Sequence, residues 1–204
     1  MSTSTTTNYG WTIPNDDELV KNGAAAIRTL GQAIDTTAAS TFLSGLQHLN
    51  TTSFSAVASQ SINDVFTSTY DNYRILLSGT HSASGSVLLR LRVGGVDNST
   101  ASSYVSQLLI ATSSTVTGSR VTSNYANFGN FDTTLLNSVS IDIFRPALAE
   151  ATGFSASSLR STSGAYITNS VGTHNQTVAY DGFSLFPENG NMTGVVSVYG
   201  YRKS

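Results

Sequence analysis

The chain has 204 residues, of which 39% are hydrophobic and only 11% charged, with a formal net charge of −2. A typical globular domain carries about 25% charged residues. This balance excludes the basic footprint of a nucleic-acid binder, and with no cysteine the chain makes neither disulfides nor thiolate metal sites.

In chain order, Met1 to Asn8 is Ser/Thr-rich, without the basic and apolar regions of a signal peptide. No apolar run reaches the ~20 residues of a membrane span, so synthesis in the cytosol and no membrane insertion are expected. An aromatic knot follows, Tyr9-Gly10-Trp11-Thr12-Ile13-Pro14, holding the single Trp. A helix is predicted next. Asn15 and Glu18 are spaced as a capping box, and Asp16, Asp17 and Glu18 favour the first turn. Val20, Ile27, Ile34 and Thr41 recur every seven residues, with Leu30 and Thr37 three residues after the two isoleucines. This is a short coiled-coil seam, diluted by Gly23 and Gly31. A helix this short is marginal alone, so it needs a partner. Ser40 to Ser61 reads as a linker entering a first strand near Phe54–Ile62.

From there the pattern is β. Strands are predicted at Tyr73–Gly79, Ser86–Val93, Tyr104–Ala111, Arg120–Phe128, Ser138–Phe144, Gly153–Ser158, Gln176–Leu185 and Thr193–Arg202. Alternation is clearest where Val87, Leu89, Leu91 and Val93 oppose Arg90 and Arg92. Turn residues punctuate the gaps. The expected fold is therefore mainly β, an antiparallel, jelly-roll-like sandwich behind a short helical stem. Its expected divisions are residues 1–40, 41–60 and 61–204.

Two stretches carry more than periodicity. Asn8–Asp35, with its Tyr-Gly-Trp-Thr-Ile-Pro knot and Ile-Arg-Thr-Leu-Gly helix, resembles the N-terminal segment of tailed-bacteriophage tail-fibre and minor tail proteins. Phe66–Leu77, Gly182–Pro187 and Thr193–Arg202 resemble the first and last strands of a β domain of similar phage structural proteins. The resemblance implies a virion component made in the host cytoplasm, usually a homotrimer, mounted by its N-terminus on other virion proteins and displaying its β domain. A capsid-mounted fibre or decoration protein and a carbohydrate-binding module are the alternatives.

The residues suggest matching sites. Tyr9, Trp11, Ile13 and Pro14 form a candidate anchor for a virion partner, since Tyr and Trp serve as interface anchors. The competing role is packing on their own helix. Val20, Ile27, Leu30 and Ile34 form the candidate oligomer seam. Tyr104, Tyr125, Asn127, Phe128, Tyr166 and His174 lie near polar stretches and are candidates for a host-surface glycan, which needs an aromatic platform and fixed polar partners. Strand-end packing is their competing role. No catalytic constellation is visible. His48, His81 and His174 lack metal-ligand spacing, and Asp132, Asp142, Glu150, Asp181 and Glu188 are few for a glycosidase pair. Neither enzyme activity, nor a cofactor, nor a metal is expected. The sequons at Asn50, Asn98, Asn175 and Asn191 are expected to stay unmodified in a bacterially made protein.

Overall fold

The computed structural model describes residues 3–14, 20–41, 45–133, 136–161 and 166–202; the side chains at 3, 14, 20–21 and 39–41 are outside the description. The chain divides into two compact units, Met1–Gly45 and Leu46–Ser204.

The first unit is a hairpin and a helix. Strands β1 (Thr3–Thr5) and β2 (Thr12–Pro14) pair antiparallel. The aromatic knot supplies the turn between them, where Gly10 takes φ +64° and its N–H donates to the Thr6 carbonyl at 3.0 Å. Helix α1 (Val20–Thr41) has 22 residues and so spans ~33 Å. The capping box at Asn15–Glu18 falls outside the described residues.

Among its described residues the second unit holds thirteen strands: β3 (Leu46–Val57), β4 (Gln60–Ile62), β5 (Asn72–His81), β6 (Gly85–Val93), β7 (Val96–Asp97), β8 (Tyr104–Thr112), β9 (Thr115–Ser123), β10 (Ala126–Phe131), β11 (Asn137–Phe144), β12 (Thr152–Arg160), β13 (Tyr166–His174), β14 (Gly182–Pro187) and β15 (Met192–Tyr201). The larger sheet runs β3-β15-β5-β11-β12-β13-β8-β9, and the smaller runs β10-β6-β14-β4 with β7 beside β6. All pairings are antiparallel. The last two strands each enter between earlier ones: β15 lies between β3 and β5, and β14 between β4 and β6.

One core joins the sheets. Tyr73, Ile75 and Leu77 of β5, Val139, Ile141 and Ile143 of β11, and Val196 and Val198 of β15 meet Leu89 and Leu91 of β6 and Phe183 and Leu185 of β14. Each such side chain stabilises the fold by about 1.5–3 kcal/mol before entropy is counted. Tyr73 is fully buried, and its hydroxyl donates to the Thr67 carbonyl at 2.7 Å and accepts from the Thr67 N–H at 2.6 Å, so a buried polar atom is satisfied.

Several expectations are corrected. The segment read as a linker, 41–60, contains β3, which pairs along β15 from Leu46 to Val57. Its residues are mostly exposed or half-buried because it is an edge strand, so few apolar positions mark it. Arg120–Phe128 is not one strand: β9 and β10 belong to different sheets, with the break at Asn124-Tyr125. Gln176–Asp181 is irregular, and β14 begins only at Gly182. The strand β13 lies in a stretch read as connection. Helix α1 is the one helix among the described residues.

Candidate functional site

In the N-terminal unit, Tyr9 and Trp11 stack with ring centroids 5.0 Å apart. Trp11 is half-buried, and its indole N–H donates to Thr37 Oγ1 of α1 at 3.0 Å. The knot thus meets its own helix, the plainer of the two roles, and Tyr9 remains the open face at 59% exposure. Ile13 is half-buried, while the side chains of Pro14 and Val20 lie outside the described residues. On α1, Ile27 and Ile34 are exposed and Leu30 is half-buried, so the stripe is left without a cover among the described residues of this unit.

In the sandwich, the larger sheet extends beyond the smaller one. Strand β10 contacts β8, β12 and β13. A cavity of about 300 Å3 opens here, lined by β6, β8, β9, β10, β12 and β13. Its wall includes Leu108, Ile110 and Val121, whereas its polar lining includes Asn127, Asn130, Arg160, Tyr166, Thr168 and Ser119. This is the inward side of the sheet, where a sandwich ordinarily places apolar residues. Strand β13 reverses that rule: Thr168 and Ser170 point inward and are buried, while Ile167 and Val171 are exposed outward.

The bulge in β10 shapes this cleft. Register with β6 shifts between Asn127 and Asn130, and Gly129 sits there at φ +94°. A Cβ on Gly129 would lie 2.7 Å from Thr168 Cβ and 2.8 Å from Ser158 Oγ, so glycine permits the close approach of β10 to β13. Asn127 Oδ1 accepts from the Gly129 N–H at 2.9 Å, and Asn130 Oδ1 accepts from the Ser86 hydroxyl at 2.9 Å. Both side-chain NH2 groups are thus oriented by what their oxygens accept.

Arg160 is the one charged group among the described residues lining the cleft. Its Nη2 lies 3.3 Å from Asp132 Oδ2, and its guanidinium lies 5.6 Å from the centre of the Tyr166 ring. Its Nε is buried without a hydrogen-bond partner. The Thr133 N–H and then Arg160 hold the Asp132 carboxyl below the usual carboxylate range. The pair is therefore charge-neutral. Buried Asn137 fixes its supports: its side-chain N–H donates to the Asp132 and Gly79 carbonyls, and its oxygen accepts from the Asp132 and Ser161 N–H groups. Sequence reasoning missed Arg160, Asn130 and Asn137, because no spacing links three separate strands.

Among the predicted glycan contacts, only Asn127 and Tyr166 come together at the cleft. Tyr125 packs edge-on to Phe186 at 6.1 Å instead. Tyr104, Phe128 and His174 are corrected: all three are buried in the interior and unable to touch a receptor. Tyr104 stacks on His174 at 3.9 Å, His174 Nε2 lies 2.6 Å from the Tyr180 hydroxyl, and Asn98 donates to Tyr180 at 2.8 Å. This network engages His174 Nε2 and the Tyr180 hydroxyl within the fold. The carboxylates are engaged separately: Asp142 with Arg74, Glu150 with Arg145, Asp181 with the Gly94 N–H and Glu188 with the Ser86 N–H. Among the described residues, no group of three or more His, Asp or Glu is placed to hold a metal, and no helix is long and apolar enough to cross a membrane.

No protein-family model, curated protein or solved structure matches the chain.

Proposed function

We propose that the chain is a structural subunit of a bacteriophage virion, a fibre or minor tail protein. Its N-terminal unit mounts it on other virion proteins, and its sandwich meets a host-surface saccharide through the β10–β13 cleft. The resemblance of Asn8–Asp35 to phage attachment segments supports the mounting role, as do the exposed Tyr9 face and the Ile27–Leu30–Ile34 stripe, which suits a homotrimer seam. The strand order supports a jelly-roll reading of the sandwich. The rows β3-β15-β5-β11 and β4-β14-β6-β10 make the two four-stranded layers, and β8-β9 and β12-β13 extend the first.

The observation that carries the saccharide role is polarity where packing asks for none. Thr168, Ser119, Asn127 and Asn130 line an inward-facing cleft, beside one aromatic ring and an aliphatic wall. A pyranose presents an apolar face to a ring or aliphatic surface, and its hydroxyls need fixed donors and acceptors. The neutral Arg160–Asp132 pair favours an uncharged sugar. Binding without turnover is the expected activity, since the described lining has no carboxylate pair for glycoside hydrolysis. A free-standing carbohydrate-binding module is the second reading favoured by the same cleft, and it makes the N-terminal unit dispensable.

The test is a glycan array followed by titration calorimetry. A neutral host-surface glycan is expected to bind. Asn127→Ala and Tyr166→Ala should each weaken it about ten-fold, roughly 1.4 kcal/mol, while Tyr125→Ala leaves it unchanged. Binding that survives both cleft substitutions, or that fails with every glycan, contradicts the reading.

A further inference from the structure

We infer that the outward face of the larger sheet is a contact surface between copies of this chain. The inference rests on the sheet's register and is independent of the cleft and of its ligand.

An antiparallel sheet with one solvated face carries polar side chains on it. Here the register brings apolar ones together. Leu159 of β12 is directly opposite Ile167 of β13, Ile167 opposite Ala111 of β8, and Ala111 opposite Val116 of β9. On the other side of Leu159 the same rung continues through Ser138 and Ser78 to Val195 of β15. The neighbouring rung holds Leu76 and Leu109, separated by Ser140, Ser157 and Asn169. Exposure ranges from 40% at Leu76 to 63% at Val116. Monomeric proteins rarely expose a contiguous apolar patch beyond a few hundred Å2.

Three features select a second copy as the occupant. The first is charge. These two rungs carry no ionisable side chain; on the next rung Arg74 is neutralised by Asp142 through two hydrogen bonds of 2.7 and 2.8 Å, and the exposed Arg120 stands at that rung's β9 edge. A face with little net charge does not repel its own image, whereas like charges across an interface cost several kcal/mol. The second is relief. Ser78, Ser138, Ser140 and Ser157 floor a shallow trough walled by Leu76, Leu159 and Ile167. One copy's Leu159–Ile167 ridge therefore matches the floor of another's trough. The third is area. Eight strands ~4.8 Å apart and about four outward rungs ~6.7 Å apart give roughly 700 Å2. Standard interfaces bury about 800 Å2 per partner.

The test uses the full chain, in analytical ultracentrifugation at micromolar concentration. The wild type is expected to sediment as an oligomer. Leu159→Lys with Ile167→Lys should weaken association at least ten-fold and leave the circular dichroism spectrum unchanged, because both side chains are already exposed. The helix variant Ile27→Asp with Ile34→Asp is run in parallel, since it reports on the N-terminal seam alone. The chain has no cysteine, so Ile167→Cys gives one thiol. A short bismaleimide should join copies of that variant but not copies of Val96→Cys, which lies on the other sheet. The inference is overturned if the wild type is monomeric, if the lysine variant associates as the wild type does, or if Ile167→Cys fails to cross-link. A monomer in which the introduced thiol resists labelling would mean the chain's own helix covers the face, and it overturns the inference as well.

Discussion

His174 lies wholly inside the sandwich, between the Tyr104 ring and the Tyr180 hydroxyl. Burial pushes its pKa down to about 4, against a partial opposing effect of the Ser103 carbonyl. Burial also lowers His81, which packs on Phe131 at 5.2 Å. The sign follows from proton uptake. Between pH ~6.5 and ~4 the unfolded chain binds a proton at this position and the folded one does not, so stability falls as pH falls through that window. The loss for His174 approaches roughly 3 kcal/mol near pH 4. Asp142 adds to it at lower pH. Burial disfavours its charge, but hydrogen bonds from Arg74 and Tyr201 outweigh this and hold its pKa below the usual carboxylate value. Its stabilisation is present above the ordinary carboxylate pKa and is lost as pH falls through the depressed one. Urea unfolding at pH 7, 5.5 and 4 should show the decline, and His174→Gln should flatten it. An equally steep decline in that variant would remove His174 as the cause.

At the scale of elements, the strands legible in the sequence are those with one apolar and one polar side. Strand β11 alternates Val139, Ile141 and Ile143 against Ser138, Ser140 and Asp142, and burial follows that alternation. Strands β9 and β13 were not fully legible because they break the rule. Val116 faces outward on an edge strand, and β13 puts Thr168 and Ser170 inside. Alternation alone does not say which side faces in, so the polar cleft and the apolar outer face were both hidden. Asn127 and Tyr166 were reachable from local composition, whereas Arg160 and Asn137 depend on which strands pair. The β10 bulge ties this geometry together. Gly129→Ala meets both a positive φ and the Thr168 and Ser158 side chains, and should cost about 1–3 kcal/mol. It should also weaken saccharide binding by displacing Thr168. Gly118→Ala on β9, whose Cβ has nothing nearer than 4.0 Å, is the matched control. Equal melting temperatures for the two variants would contradict the role assigned to the bulge.

For the whole molecule, the buried core of the sandwich runs from Phe54 to Val198. Among its described residues the N-terminal unit has none that is buried, and Tyr9, Ile27 and Ile34 are exposed. An exposed apolar stripe on a helix that is marginal alone fits the attachment proposed for this unit. Three copies engaged together would strengthen that contact through avidity. The sandwich should therefore stay folded when residues 1–14 are removed, with an unchanged melting temperature, while attachment is lost. The most direct measurement supplies the truncated and full-length chains separately to assembling phage and quantifies each in purified particles by mass spectrometry. The account predicts stoichiometric full-length chain and a truncated chain at background. Equal incorporation of the two, or absence of the full-length chain from intact particles, would contradict it.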